Sequence, residues 1–305
     1  MKTLFVVVGP TGVGKTELSL AVARHIGSPV INADSRQIFA ELPIGTAAPT
    51  QEQQRQVKHY FVGNHHLEDY YSASMYEQDA MGLIGRLFEG REDGVCHDRL
   101  LLTGGSMMYI DAVCNGIDDM PTVPPAIRNR LKGRLASEGL EPLLSELKRL
   151  DPVHWAIVDR RNPRRVVHAL EICLATGKTY TSFRTHTKKA RPFRIVKIGL
   201  DRPREELYER INARVLNMMG SGLEEEARAV YPLRGLNALN TVGYKELFAW
   251  FDGCISREEA VRQIQSNTRR YMRKQLTWFR HDGNIRWFAP GDIEDILNYI
   301  DSFLI

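Results

Sequence analysis

Five apolar residues, Leu4-Phe5-Val6-Val7-Val8, run straight into Gly9-Pro10-Thr11-Gly12-Val13-Gly14-Lys15-Thr16 near the start of the chain. The run is too short for a buried helix and rich in β-branched side chains, so it predicts a strand buried on both faces of a parallel sheet. The glycines after it free the backbone to turn N–H groups inward around an anion. Lys15 adds a point charge, and Thr16 offers a hydroxyl to Mg²⁺ at the start of a helix whose dipole already favours negative charge. Strand, loop spacing and helix agree on a phosphate cradle. They leave open whether the phosphate belongs to a nucleotide or to another ligand.

Composition narrows the choice only a little. A formal net charge of +4 over 305 residues is mildly basic, so any nucleic-acid role must rest on where the arginines cluster. Cys96, Cys114, Cys173 and Cys254 form no C-x-x-C pair and lie far apart, which argues against zinc and against a disulfide framework. The N-terminus opens directly on a strand, with no room for a signal peptide. No apolar run approaches the roughly 20 residues needed to span a bilayer. A cytoplasmic protein without membrane contact is the expectation.

Glu17 to Ala23 continues as an amphipathic helix that Gly27 stops, and Pro29-Val30-Ile31 reads as the next strand of a βαβ unit. Asn32-Ala33-Asp34-Ser35-Arg36-Gln37 then falls at a strand's carboxyl end, where open α/β sheets hold their ligands. Asp34 reads equally well as a helix N-cap or as a functional carboxylate. Residues 46–76 read as loop and short helix. His59, His65 and His66 lack Cys or carboxylate partners at ligand spacing and read as surface or loop-anchoring residues. A helix is expected over 76–90. The strand Arg99-Leu100-Leu101-Leu102-Thr103 follows, ending in Gly104-Gly105-Ser106 without the acidic residue with which nucleotide hydrolases usually hold magnesium. Met107-Met108-Tyr109 opens a helix as core or as a substrate contact.

The proline cluster Met120-Pro121-Thr122-Val123-Pro124-Pro125 breaks this alternation. From there to Pro192 the text is almost entirely helical, with Arg160, Arg161, Arg164 and Arg165 inside and Lys188, Lys189, Arg191 and Arg194 around its exit. Each cluster alone is compatible with a solvated face. A strand over 193–200 returns the chain to the sheet, and the last quarter reads as helical. In the segment from Ser256 to His281, Arg262, Arg269, Arg273 and Arg280 fall within roughly 40° of one another on a helical wheel, opposite Val261, Ile264, Met272 and Phe279. Such a positive row matches repeating backbone phosphates better than a small ligand.

Taken together, the glycine-lysine-threonine loop, Asp34-Ser35-Arg36-Gln37, Ile44-Gly45-Thr46-Ala47, Arg164 to Glu171, Val242-Gly243-Tyr244-Lys245 and Thr268 to Tyr271 with Gln275-Leu276-Thr277-Trp278-Phe279 resemble the bacterial tRNA dimethylallyltransferase family. The likeness runs in order along nearly the whole chain. It implies an α/β fold, a P-loop NTPase-like parallel sheet flanked by helices, with residues 1–120 and 193–305 as catalytic core and 121–192 as a mainly helical insertion.

The activity implied is transfer of a dimethylallyl group from dimethylallyl diphosphate to N6 of the adenosine 3′ of the anticodon. An exocyclic adenine amine is a weak nucleophile, so a base must take its proton as the C–N bond forms, and the resemblance assigns that role to Asp34. The diphosphate would lie on Gly9, Pro10, Thr11, Gly12, Val13, Gly14, Lys15 and Thr16 with Mg²⁺ on Thr16; Arg214 would assist, or pair with a helix neighbour. Asp34, Ser35, Arg36, Gln37, Ser106, Arg128, Arg164, Arg165, Val166, Val167, His168, Asn240, Thr241, Val242, Gly243, Tyr244 and Lys245 fall at the family's tRNA-facing positions, and Arg269 and Arg273 join them from the basic row. Ser106 departs from the family's more usual threonine but keeps the hydroxyl. Lys58 to His66 departs from its usual text. The expected protein is a monomer that takes tRNA and dimethylallyl diphosphate. A metabolite kinase, an enzyme prenylating free adenine nucleotides and a non-catalytic RNA-binding protein each leave the arginine clusters, the helical additions or Asp34 unexplained.

Overall fold

The computed structural model describes every residue except 119, 186, 304 and 305. Strand β1 (Thr3–Val8) runs into the glycine-rich loop, and helix α1 (Lys15–Ile26) starts at its lysine. Next come β2 (Val30–Asn32), α2 (Gln51–Gln56), β3 (His59–Tyr60), α3 (Ala73–Phe88), β4 (Arg99–Thr103) and α4 (Met107–Asn115). A helical stretch follows: α5 (Pro125–Glu138), α6 (Glu141–Leu150), α7 (Pro152–Ile157), α8 (Pro163–Thr176) and α9 (Tyr180–Phe183). The chain closes with β5 (Arg194–Leu200), α10 (Arg204–Gly220), α11 (Leu223–Val230), α12 (Tyr244–Phe251), α13 (Arg257–Arg280), β6 (Ile285–Phe288) and α14 (Ile293–Asp301).

These elements form two compact units, one of Met1–Cys114 with Arg191–Ile305 and one of Asn115–Ala190. The first is built on a parallel sheet of order β3-β2-β4-β1-β5-β6. β1 is central because it is apolar on both faces. Leu4, Val6 and Val8 pack with α3 and α4 on one side, and Phe5 and Val7 pack with α1, α10 and α14 on the other. Each such side chain contributes roughly 1.5–3 kcal/mol by leaving water. A further cluster joins Ile38, Phe39 and Leu42 to α11, α12 and the first half of α13, so the segment after β2 is packed in place. The second unit has its own core, built on Leu131, Leu143, Leu147, Val166, Ala169 and Leu170.

Two edge strands differ from the sequence expectation. β3 pairs only two residues with β2, inside a stretch read as loop, and β6 pairs with β5 inside a quarter read as helical. Both are short, and Ile285-Arg286-Trp287-Phe288 has too few residues for its period to separate strand from helix.

Candidate active site

The carboxyl ends of β2, β4 and β1 lie side by side, because β4 pairs with both of the others. Loops leaving the three strands therefore open into one space, a cavity of about 1230 Å³ lined by residues that include Lys15, Thr16, Asp34, Ser106 and Arg214. At the β1 end, α1 is capped by Gly14 in the left-handed region with no side-chain cap, which leaves the first-turn amides to an anion. Lys15 Nζ donates to Gly9 O and Pro10 O, both at 2.8 Å. Burial, then the Arg214 guanidinium, lowers its pKa from the usual lysine value to about 7, and the Asp34 carboxylate opposes the shift.

Arg214 does not pair with a helix neighbour among the described residues. No carboxylate of the described residues lies within ion-pair distance of it; instead it donates to Thr11 Oγ1 and Thr46 O, both at 3.4 Å. It thus stands over the cradle as a cation, its pKa lowered by burial.

No helix follows β2 directly, so Asp34 is not the helix N-cap that the residue pattern allowed; it closes a turn and lines the cavity. Oδ1 accepts from the amides of Arg36 at 2.9 Å and Gln37 at 3.4 Å, which closes the turn after β2, while Oδ2 accepts nothing from the described residues. The neighbouring turn is held against it. Ser106 Oγ accepts from Ser35 N at 2.7 Å and donates to Ser35 Oγ at 3.0 Å, and Ser106 N donates to Ala33 O at 3.1 Å. Gly104 permits this approach, since a Cβ there would stand 2.2 Å from Ala33 O. Gln37 Nε2 donates to Thr46 O and Ala47 O, tying the Ile44 to Ala47 loop to the same turn. Thr103, at the end of β4, accepts from Ser19 Oγ at 2.9 Å, so hydroxyls stand where a hydrolase would carry an acid.

The sequence profile of the IPP transferase family matches residues 37–282. This chain belongs to that family. It is 64% identical to tRNA dimethylallyltransferase 2 of Porphyromonas gingivalis, covering 94% of each chain, and 57% identical to tRNA dimethylallyltransferase 1 of Phocaeicola vulgatus, covering 98% of each. Among solved structures it is similar to the full-length tRNA isopentenylpyrophosphate transferase of Bacillus halodurans, at 33% identity and a TM-score of 0.70, covering 99% of this chain and 96% of that one. The P-loop NTPase-like core accords with this IPP transferase relationship.

Several residues at the family's expected tRNA positions are placed otherwise than the sequence reading has them. Tyr244 is fully buried, its hydroxyl on Glu226 Oε1 at 2.5 Å, and Glu226 also accepts from the amides of Ile44 and Gly45 at 2.7 and 2.8 Å. Its part is to pin the Ile44 to Ala47 loop. Its neighbours Asn240, Thr241, Val242, Gly243 and Lys245 line the cavity. In the second unit, Val166 and Val167 belong to the core, whereas Arg164, Arg165 and His168 on the same helix are exposed. His168 and Arg128 both approach Glu171, at 3.7 and 3.6 Å. The arginine row on α13 is divided: Arg262 pairs with Glu259 and Arg280 with Asp201, while among the described residues Arg269 and Arg273 meet only the neutral Asn212 and Tyr208. None of the four is among the residues lining the cavity around Asp34.

The histidines anchor loops: His59 Nδ1 lies 2.7 Å from Val57 O, His65 packs on Tyr71, and His66 Nδ1 lies 2.8 Å from Glu41. No group of three or more His, Cys, Asp or Glu among the described residues could hold a metal ion, and no described helix is long and apolar enough to cross a membrane. Sequence reasoning missed Arg210 and Arg202, which donate to Gly12 O at 2.8 Å and Val13 O at 2.9 Å and so grip the cradle from outside. The four-residue spacing of Arg210 and Arg214 on one helix was the available signal.

Proposed function

We propose that this protein transfers the dimethylallyl group of dimethylallyl diphosphate to N6 of adenosine-37, just 3′ of the anticodon, in tRNAs that read codons beginning with U, giving N6-(dimethylallyl)adenosine. The observation that carries the reading is the sharing of one cavity by a phosphate cradle and a carboxylate with a free oxygen. In the reaction the bond between the allylic carbon and the diphosphate oxygen breaks while the bond from N6 to that carbon forms. The N6 proton passes to Asp34 Oδ2. Negative charge growing on the leaving diphosphate is met by the first-turn amides of α1, by Lys15 and by Arg214. The nearby diphosphate raises the proton affinity of Lys15, so the ammonium is charged when the leaving group needs it.

Magnesium suits this donor set. Thr16 faces the cavity without a carboxylate cage around it, the pattern expected of an ion that keeps its waters and binds through substrate phosphates. Thr16 would hold it, and the ion would supply further charge neutralisation for the leaving diphosphate. The acceptor base must leave its stack to reach Asp34, and arginines that meet only neutral partners, Arg269 and Arg273, together with Arg164, Arg165 and Lys245, would hold the RNA backbone. The enzyme works as a monomer in the cytoplasm, beside its tRNA substrate.

The test is incubation with radiolabelled dimethylallyl diphosphate and unmodified tRNA, with ATP and metabolites as control. Label in tRNA at adenosine-37 is expected. Phosphorylated metabolite with unlabelled tRNA would overturn the reading.

A further inference from the structure

One polar side chain inside the site has no role in that account. α13 buries Ala260, Ile264, Met272 and Phe279 against the rest of its unit, and Gln275 shares that face with only 1% of its surface exposed. A buried amide costs free energy unless its donor and acceptor are both paired. Here both are. Oε1 accepts from Thr11 N at 2.9 Å, and Nε2 donates to Gly105 O at 2.8 Å, which also accepts from Tyr271 Oη at 3.3 Å. The partners fix the amide's orientation, because a flipped group would set N–H against N–H and oxygen against oxygen.

The consequence concerns spacing. β4 separates β1 from β2, so the cradle and Asp34 leave strands about 10 Å apart, and the sheet ladder does not hold the loops beyond the strand ends. Gln275 spans the first gap, from the β1 loop to the β4 loop. Ser106 spans the second, from the β4 loop to Ser35 beside Asp34. Because its N–H is committed to Gln275, the Thr11 amide is not one that could turn toward an anion in the cradle.

We propose that Gln275 is a positioning residue that sets the separation between the diphosphate cradle and the Asp34 turn. The inference rests on the prenyl-transfer reading. Reacting atoms must approach to about 3–3.5 Å, and misplacement by an ångström costs on the order of a hundredfold in rate.

The test uses the full-length chain carrying Gln275→Leu or Gln275→Glu, each compared with wild type for kcat per folded molecule, tRNA Kd, pyrophosphate Kd and Tm. Gln275→Leu is expected to lower kcat by at least about tenfold while tRNA Kd stays within about twofold. Gln275→Glu keeps the acceptor for Thr11 but turns an anion toward Gly105 O, and protonation restores the donor. The ratio of its kcat to that of wild type should therefore rise about tenfold between about pH 8.5 and about pH 6. A ratio that does not change with pH, or an unaltered kcat in folded Gln275→Leu, would overturn the proposal. If Gln275→Leu does not fold, the pH ratio of Gln275→Glu decides. Failure of wild type to transfer the label would instead overturn the function on which the inference rests.

Discussion

Lys15 illustrates how the site holds charge in reserve. Burial and Arg214 bring its pKa down to about 7, so near neutrality part of the free protein carries a neutral amine in the cradle. The sign follows from linkage. Between about pH 7 and the unfolded value near 10.5, the unfolded chain keeps a proton that the folded chain has lost, so this group's contribution to stability rises with pH across that window. Pyrophosphate, by restoring the proton, must bind less tightly as pH rises through the same range. Urea unfolding of wild type and Lys15→Met at about pH 6.5 and about pH 9, with and without pyrophosphate, should show wild type gaining stability relative to the variant at the higher pH and losing its binding advantage there. A pH-independent difference would remove Lys15 from the balance. Asp34 calls for a different substitution. Asn at 34 keeps an oxygen for the amides of Arg36 and Gln37 and removes only the base, so transfer should fall by about a hundredfold or more while tRNA Kd and Tm stay near wild type. The residue pattern alone left Asp34 evenly divided between helix cap and functional carboxylate, and only the family resemblance favoured the base; in the structure Oδ1 closes a turn and Oδ2 accepts nothing from the described residues.

Helix α13 shows where periodicity informs and where it stops. Spacing on the wheel separates its arginines from Val261, Ile264, Met272 and Phe279, of which the last three are buried and Val261 is partly buried. It does not tell which arginines are neutralised, since Asp201 reaches Arg280 from outside the helix while Asn212 and Tyr208 reach Arg269 and Arg273 from α10. Arg269→Ala and Arg273→Ala should each reduce the slope of log tRNA affinity against log salt by about 1, whereas Arg262→Ala and Arg280→Ala, whose charges carboxylates already balance, should leave it unchanged. Equal slopes in all four variants would contradict this division. The cradle itself was legible because its strand, glycines and lysine are consecutive. The groups that hold the cavity's walls were not. Gln275 lies 264 residues from Thr11, and Glu226 lies 182 from Ile44, distances at which no local spacing carries a signal. Glu226→Ala would leave the amides of Ile44 and Gly45 and the Tyr244 hydroxyl without their acceptor. It should cost about 2–3 kcal/mol in urea unfolding and raise amide exchange at Ile44 and Gly45, and protection unchanged from wild type would show that the carboxylate does not hold the loop.

At the scale of the molecule, the chain divides its apolar residues between separate cores. The change in composition at Pro121 announced a helical unit, although compactness sets its start at Asn115, because α4 ends there before the prolines begin. Leu131, Leu143 and Leu170 pack among themselves within that unit, while the cradle, Asp34, Gln275 and Glu226 all belong to the other. A ligand stabilises only the folded unit that binds it, by RT ln(1 + [L]/Kd), which is about 2.7 kcal/mol when the ligand is at 100 times its Kd. Calorimetry should therefore resolve two transitions, and pyrophosphate with magnesium should raise the one lost in a variant that breaks the sheet core while leaving the other in place. Leu101→Ala, at a fully buried position of β4, supplies that marker. If both transitions shift together with pyrophosphate, the two cores unfold as one cooperative system and the insertion owes its stability to the catalytic unit.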